Sequence, residues 1–109
     1  MSETETLVRR AFRAYETGDR AEIEAVIGEP FCFTSPQDDG IDREAYFARC
    51  WPFHELKPGI ELERVFVNGH EAFVTYVGTT GEKRFRNTEF FRVREGKIAS
   101  VDVYFGRTL

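Results

Sequence analysis

The chain is poor in the residues that carry most recognisable chemistry: two cysteines, two histidines, one tryptophan and one methionine in 109 residues. Cys32 and Cys50 lie far apart within apolar patterns. They read as buried free thiols of a reducing compartment rather than as a disulfide or half of a zinc spacing, so no metal is expected. No apolar run approaches the roughly 18 residues that span a bilayer. The opening MSETETLVRR is polar and acidic where a leader peptide is basic and then apolar. The expectation is a cytoplasmic protein without a membrane partner. A glycine-rich phosphate loop after a strand, a G-x-S-x-G elbow and an H-E-x-x-H pair are all missing, and no cofactor is implied.

Excess positive charge is missing too. The formal net charge is -4, which disfavours non-specific binding to a phosphate backbone. The local cluster Lys83, Arg84, Arg86, Arg92 and Arg94 reads as a solvated strand edge, broken up by Glu82, Glu89 and Glu95. Repeats, linkers and low-complexity segments are absent as well, so residues 1–109 read as one domain. What is abundant is phenylalanine, eleven residues beside four tyrosines. Rings at that density line cavities and interfaces as well as cores.

Leu7, Val8, Ala11, Phe12 and Tyr15 recur near the helical period, with Ser2 and Glu5 as a capping box and Gly18 as the stop. Asp19 caps a second helix that buries Ile23, Val26 and Ile27 and ends at Gly28 and Pro30. Phe31 to Thr34 is a short strand, and residues 35–40 form a polar loop. Asp42 caps a third helix with Ala45, Tyr46, Cys50 and Trp51 inward; Pro52 closes it, and FHELKPG is irregular. Ile60 to Val67 and His70 to Val77 are strands joined at Asn68-Gly69. After GTTGEK comes a long hairpin, Phe85 to Phe105, reversing at Glu95-Gly96. The predicted order is ααβαββββ, an α+β protein.

This order, the AYETGD step and the closing EGK-I-x-x-V-x-V-Y-F-G strand resemble the nuclear-transport-factor-2-like superfamily over nearly the whole chain. They resemble more closely its SnoaL-like and ketosteroid-isomerase-like small proteins. The resemblance implies N-terminal helices packed on a curved, mainly antiparallel sheet, forming a cone with an apolar cavity, and often a homodimer. It does not imply a reaction, because the superfamily holds isomerases, cyclases, hydrolases, dehydratases and non-enzymatic domains. Matched residue by residue, the ketosteroid isomerase's carboxylate base falls on Ser35, its tyrosine on Ala11 and its protonated acid on Thr88. All three depart from that pattern. A shifted register brings Asp38 or Asp39 to the pocket mouth as another base.

The remaining candidates each carry two readings. His54 is either a general base or acid partnered by Asp38 or Glu55, or a loop histidine. Tyr15 and Tyr76 either turn hydroxyls into a cavity or pack in the core, and Trp51 either covers a ligand or plugs the core. Arg86 and Thr88 share a face with Arg84, Phe90 and Arg92, which the family alignment turns inward at Thr88. Only the central Arg86 and Thr88 are expected to see the pocket, the ends reaching solvent, so Arg86 reads as a binder of a carboxylate or enolate. Phe85, Asn87, Glu89, Phe91 and Val93 then face a dimer mate. On the last strand Val101, Val103 and Phe105 point to the cavity, and Asp102 and Tyr104 point away. The expected function is binding of a small apolar molecule, with itself as partner through the outer sheet face. An isomerase, cyclase or hydratase using proton transfer from His54 or an Asp, and a protein-interaction module, are the alternatives.

Overall fold

The computed structural model describes residues Met1–Leu109. Helix α1, Glu3–Thr17, starts where the Ser2 side chain accepts from the Glu5 N–H, and ends at Gly18 with φ +70°. Its buried stripe is Leu7, Val8, Ala11, Phe12 and Ala14. Helix α2, Arg20–Val26, is capped by Asp19, whose carboxylate accepts from the Glu22 N–H. Ile27 leaves the helix in an extended conformation, so strand β1, Ile27–Ser35, begins four residues earlier than expected.

The segment read as a polar loop contains a strand. The Ser35 hydroxyl accepts from the backbone N–H groups of Gln37 and Asp38, at 3.1 and 3.2 Å. That bends the chain tightly enough for β2, Asp38–Ile41, to return antiparallel on β1. Helix α3, Arg43–Arg49, follows its Asp42 cap. The stretch expected to be irregular is a 3-10 helix, Trp51–Leu56, with proline in its first turn.

Four long strands complete the chain: β3 Gly59–Asn68, β4 Glu71–Thr80, β5 Lys83–Arg94 and β6 Lys97–Thr108. The β3–β4 reversal centres on Gly69-His70 rather than Asn68-Gly69, since Asn68 pairs with Glu71. One positive φ, at Gly69, suffices for a primed turn with glycine first. At β5–β6 both Glu95 and Gly96 take positive φ.

The sheet order is β2-β1-β6-β5-β4-β3. β1 and β6 run parallel and every other pairing is antiparallel. The edges β2 and β3 stay unpaired, so the sheet is open and does not close on itself as a cone would. The helices lie on one face. There α1 is pinned at both ends: Thr4 Oγ1 donates to the Gly69 carbonyl at 2.8 Å, and Glu16 accepts from the Ile60 N–H at 3.0 Å. No helix is long and apolar enough to cross a membrane.

The phase of β5 is the opposite of that expected. Phe91 and Val93 are buried in the core, and Phe85, Asn87 and Glu89 share their face. Arg86 lies on the other side in an ion pair with Glu63, and Thr88 bonds the Thr75 hydroxyl at 2.8 Å. The physical reason is charge. The alternative phase would turn Arg84, Arg86 and Arg92 toward the helices, and three buried guanidinium groups need partners that the core does not hold. A one-residue slip in counting from the Gly96-Lys97 turn reverses every side chain of the strand.

Candidate functional site

Between α1, α3 and the inner face of the sheet lies a cavity of about 570 Å³, and 15 of its 25 lining residues are hydrophobic. That is the size and character of a site for a small organic molecule. Its apolar wall is built from rings and branched side chains, among them Phe12, Phe33, Phe85, Phe91, Val101 and Val103. Gly78 shapes one end: a Cβ there would stand 2.4 Å from Phe85 Cζ, so the bare backbone is what lets the Phe85 ring lie over β4.

Polar groups enter this wall at few points. The Tyr76 hydroxyl donates to Glu89 Oε2 at 2.7 Å, and Asn87 Nδ2 approaches the same hydroxyl at 3.4 Å. Asn87 is itself held by a β-bulge, where its Oδ1 accepts from the Gly106 N–H at 3.1 Å and the register shifts between Arg86 and Asn87. Glu89 is partly buried on the cavity wall. Loss of water around it pushes its carboxyl up to about 7, against the bond from Tyr76, which pulls the other way. Tyr76 is held well above the ordinary phenol value, first by burial and then by the Glu89 charge.

A second pair, Tyr15 and Tyr46, shares a hydrogen bond of 2.6 Å, and burial again drives both phenols upward. One hydroxyl donates to the other, which leaves one proton of the pair without a protein acceptor. Cys50 also faces the cavity, and burial raises its thiol to about 11, so it is no thiolate nucleophile at neutral pH. At the rim, Asp38 Oδ1 meets Arg49 Nε at 2.5 Å.

Tyr15, Ser35, Asp38, Tyr76, Val101, Val103 and Phe105 line the cavity. The hydroxyl of Ser35 is occupied by the turn that it stabilises. Trp51 does not reach the cavity; it is buried behind Tyr15, with ring centres 4.9 Å apart. His54 also lies outside, stacked on Trp51 at 4.3 Å and packed close to Gly18 at the end of α1. Its reading as a pocket base is corrected: the 3-10 helix turns it toward α1. Arg86 and Thr88 are corrected with the phase of β5. The residues that sequence reasoning missed are Glu89, Asn87, Phe85 and Tyr46. The legible signal for the first three was the arginine-rich opposite face of β5. Cys32, expected to be buried, is exposed, and both thiols are free. No group of three or more His, Cys, Asp or Glu side chains is placed to hold a metal ion.

The model of the SnoaL-like domain matches residues 8–101. No curated protein matches the sequence. Among solved structures, one from Kribbella flavida, described as a candidate ketosteroid isomerase, superposes with a TM-score of 0.82 at 21% identity, over 98% of this chain and 80% of that one. An NTF2-like protein of unknown function from Cytophaga hutchinsonii gives 0.80 at 21% identity, over 94% and 89%. An LEH-like epoxide hydrolase from M. tuberculosis gives 0.77 at 16% identity, over 95% and 79%. At such identities these likenesses establish the fold alone.

Proposed function

The chain belongs to the SnoaL-like domain family of the nuclear-transport-factor-2-like superfamily, and from that premise we propose that it binds a small, largely apolar molecule in the cavity between helices and sheet. The observation that carries this reading is the pairing of an aromatic cavity of about 570 Å³ with a hydrogen-bonded carboxyl and phenol on its wall, the Glu89–Tyr76 pair. An apolar body fills the ring-lined space. A carbonyl or hydroxyl of the ligand meets the neutral Glu89 carboxyl and the spare proton of the Tyr15–Tyr46 pair. The two register shifts between β5 and β6 add local twist and curvature to the sheet, which suits a pocket left open at one side. The test is native mass spectrometry of protein from its own host. A non-covalent adduct of small-molecule mass, lost on denaturation, is expected. Apo mass only, together with no thermal shift from any member of an apolar ring-compound library, would reject the reading.

A second reading is favoured by Glu89 itself. A carboxyl titrating near neutrality, beside a phenol and open to a cavity, suits proton transfer to or from a bound substrate. Glu89 takes the role that the sequence assigned to His54 or Asp38. The solvent face of the sheet supports a third element of the proposal, a homodimer. Phe66, Phe73 and Tyr104 are 69, 49 and 55% exposed there, and Phe73 packs on Phe90 at 4.5 Å. These residues replace Phe91, which is core.

A further inference from the structure

Strand pairing sorts the solvent face of the sheet into rows, because residues directly opposite on neighbouring strands share a face. One row is aromatic and ends in a carboxylate: Phe66, Phe73, Phe90 and Asp102. The next carries hydroxyls, on Thr75, Thr88 and Tyr104. The third is cationic, with Arg86 directly opposite Arg107. A bulge puts Arg107 there. The register shift beside Arg86 leaves Gly106 unpaired, so Arg107 returns to the solvent face while Phe105 keeps to the cavity side.

Two charges of this face lack a counterpart in the chain. Asp102 lies between its strand partners Phe90 and Thr34, is only partly exposed, and joins no ion pair. Arg107 joins none either, and both oxygens of Glu63 are taken by Arg86, at 2.8 and 3.2 Å. Like charges set directly opposite each other weaken a sheet. An apolar partner laid over Asp102 would strip its water and return no cation. Strand β6 therefore carries a free anion and a free cation, one row to either side of Tyr104, with rows about 7 Å apart.

Resting on the homodimer reading above, we propose that the second copy docks on this face about a twofold axis that crosses the strands along the Thr75–Thr88–Tyr104 row. A twofold interface is self-complementary: what one copy gives, it also receives. This axis exchanges the rows on its two sides, so Asp102 of each copy meets Arg107 of the other, and Tyr104 meets its own twin. Sheets laid face to face stand about 10 Å apart, within the joint reach of an aspartate and an arginine. An axis along the strands would instead keep each row on itself. Asp102 would then meet Phe66, Phe73, Phe90 or another Asp102, and none of these is a cation. At the rim, Arg64 on the open edge strand reaches solvent, and Arg84 meets the Glu71–Arg92 pair, which is already neutral.

Sedimentation velocity at low salt on the wild type, Asp102→Lys, Arg107→Glu and the double variant provides the test. Each single reversal sets like charges together twice, once in each half of the interface, and is expected to weaken the dimer about 100-fold. The double variant restores opposite charges and is expected to return to within about tenfold of the wild type. In a Cys32→Ser background, a short bismaleimide is expected to link Tyr104→Cys across the axis and not Ser100→Cys, two rows away. The neutral fluorescent dye N-phenyl-1-naphthylamine, offered to the cavity on the other side of the sheet, is expected to bind every form alike. A variant that loses the dye has lost its fold, and the cross-link then decides. Single reversals that leave the dimer unchanged, a double variant no tighter than the singles, or linkage at Ser100→Cys in place of Tyr104→Cys overturns this docking and leaves the dimer standing. A wild type that stays monomeric at every concentration rejects the homodimer reading and this inference together.

Discussion

The Tyr76 hydroxyl donates to Glu89 Oε2 at 2.7 Å across the β4–β5 pairing, on the helix-facing side of the sheet. The contact is diagonal, since Tyr76 pairs with Asn87 and Glu89 with Val74. The bond supplies a donor to a carboxyl that has lost much of its water, and it places the titrating carboxyl of the cavity wall beside a phenol that stays protonated.

A pH-dependent stability follows. The Glu89 carboxyl rises from 4.5 to about 7 on folding. Between those values the folded chain binds more protons than the unfolded one, so stability falls as pH rises through the window. The penalty is absent below about 4.5 and complete above about 7. Glu89→Gln keeps the shape and an acceptor for Tyr76 but cannot ionise. Relative to the wild type, it is expected to gain on the order of 2 kcal/mol at pH 8 and nothing of that kind at pH 4.5. Urea melts at the two pH values measure the difference.

Removing the donor moves the same group. In Tyr76→Phe the carboxylate loses its hydrogen bond, and the bond is the contribution that lowers the Glu89 value. The Glu89 titration followed by carbon NMR is expected to shift upward. Stability is expected to fall by about 1 kcal/mol, as for an ordinary buried bond.

Much of the scaffold was legible because its signals are local. Ser2, Asp19 and Asp42 cap helices as their side chains dictate, and Gly18 ends α1 in a conformation that suits glycine. The site was less legible because it depends on strand phase. Val101 and Val103 were read from alternation on an apolar strand, whereas β5 alternates between two mixed faces, and one slipped residue exchanged Glu89 for Thr88. The arginines were the better guide to the phase, because burying them costs more than burying one carboxyl that can take a proton. The return of β2 was hidden for another reason. It depends on a side-chain bond from Ser35 rather than on hydrophobic pattern.

Two glycines separate fold from pocket. At Gly106 a Cβ would stand 2.1 Å from the Arg86 carbonyl oxygen, against backbone that cannot move aside. Gly106→Ala is expected to lose about 2–3 kcal/mol and to loosen the Asn87 contact. At Gly78 the clash is with the Phe85 ring, which has room to swing toward the cavity. Gly78→Ala is expected to weaken binding of N-phenyl-1-naphthylamine several-fold at a smaller cost in stability. Chemical melts and dye titrations on the two variants make the comparison.

His54 provides a contrast. It stacks on Trp51 outside the cavity, so His54→Gln is expected to leave dye affinity unchanged from pH 6 to 8. A pH-dependent loss confined to this variant would return His54 to the site.

The outer sheet face is tested by mass. Light scattering behind size exclusion is expected to give a dimer for the wild type and a monomer for Phe73→Lys, which puts a charge beside Phe90 and Phe66.

The most direct measurement follows the side-chain carboxyl carbon of Glu89 by NMR at pH 6.5 while N-phenyl-1-naphthylamine is added. Glu63, an exposed carboxylate paired with Arg86 on the far face of the sheet, is the internal control. The Glu89 resonance is expected to move and saturate with the binding curve while Glu63 stays still. Saturable binding with Glu89 unmoved would place the ligand elsewhere and contradict the assignment of this cavity.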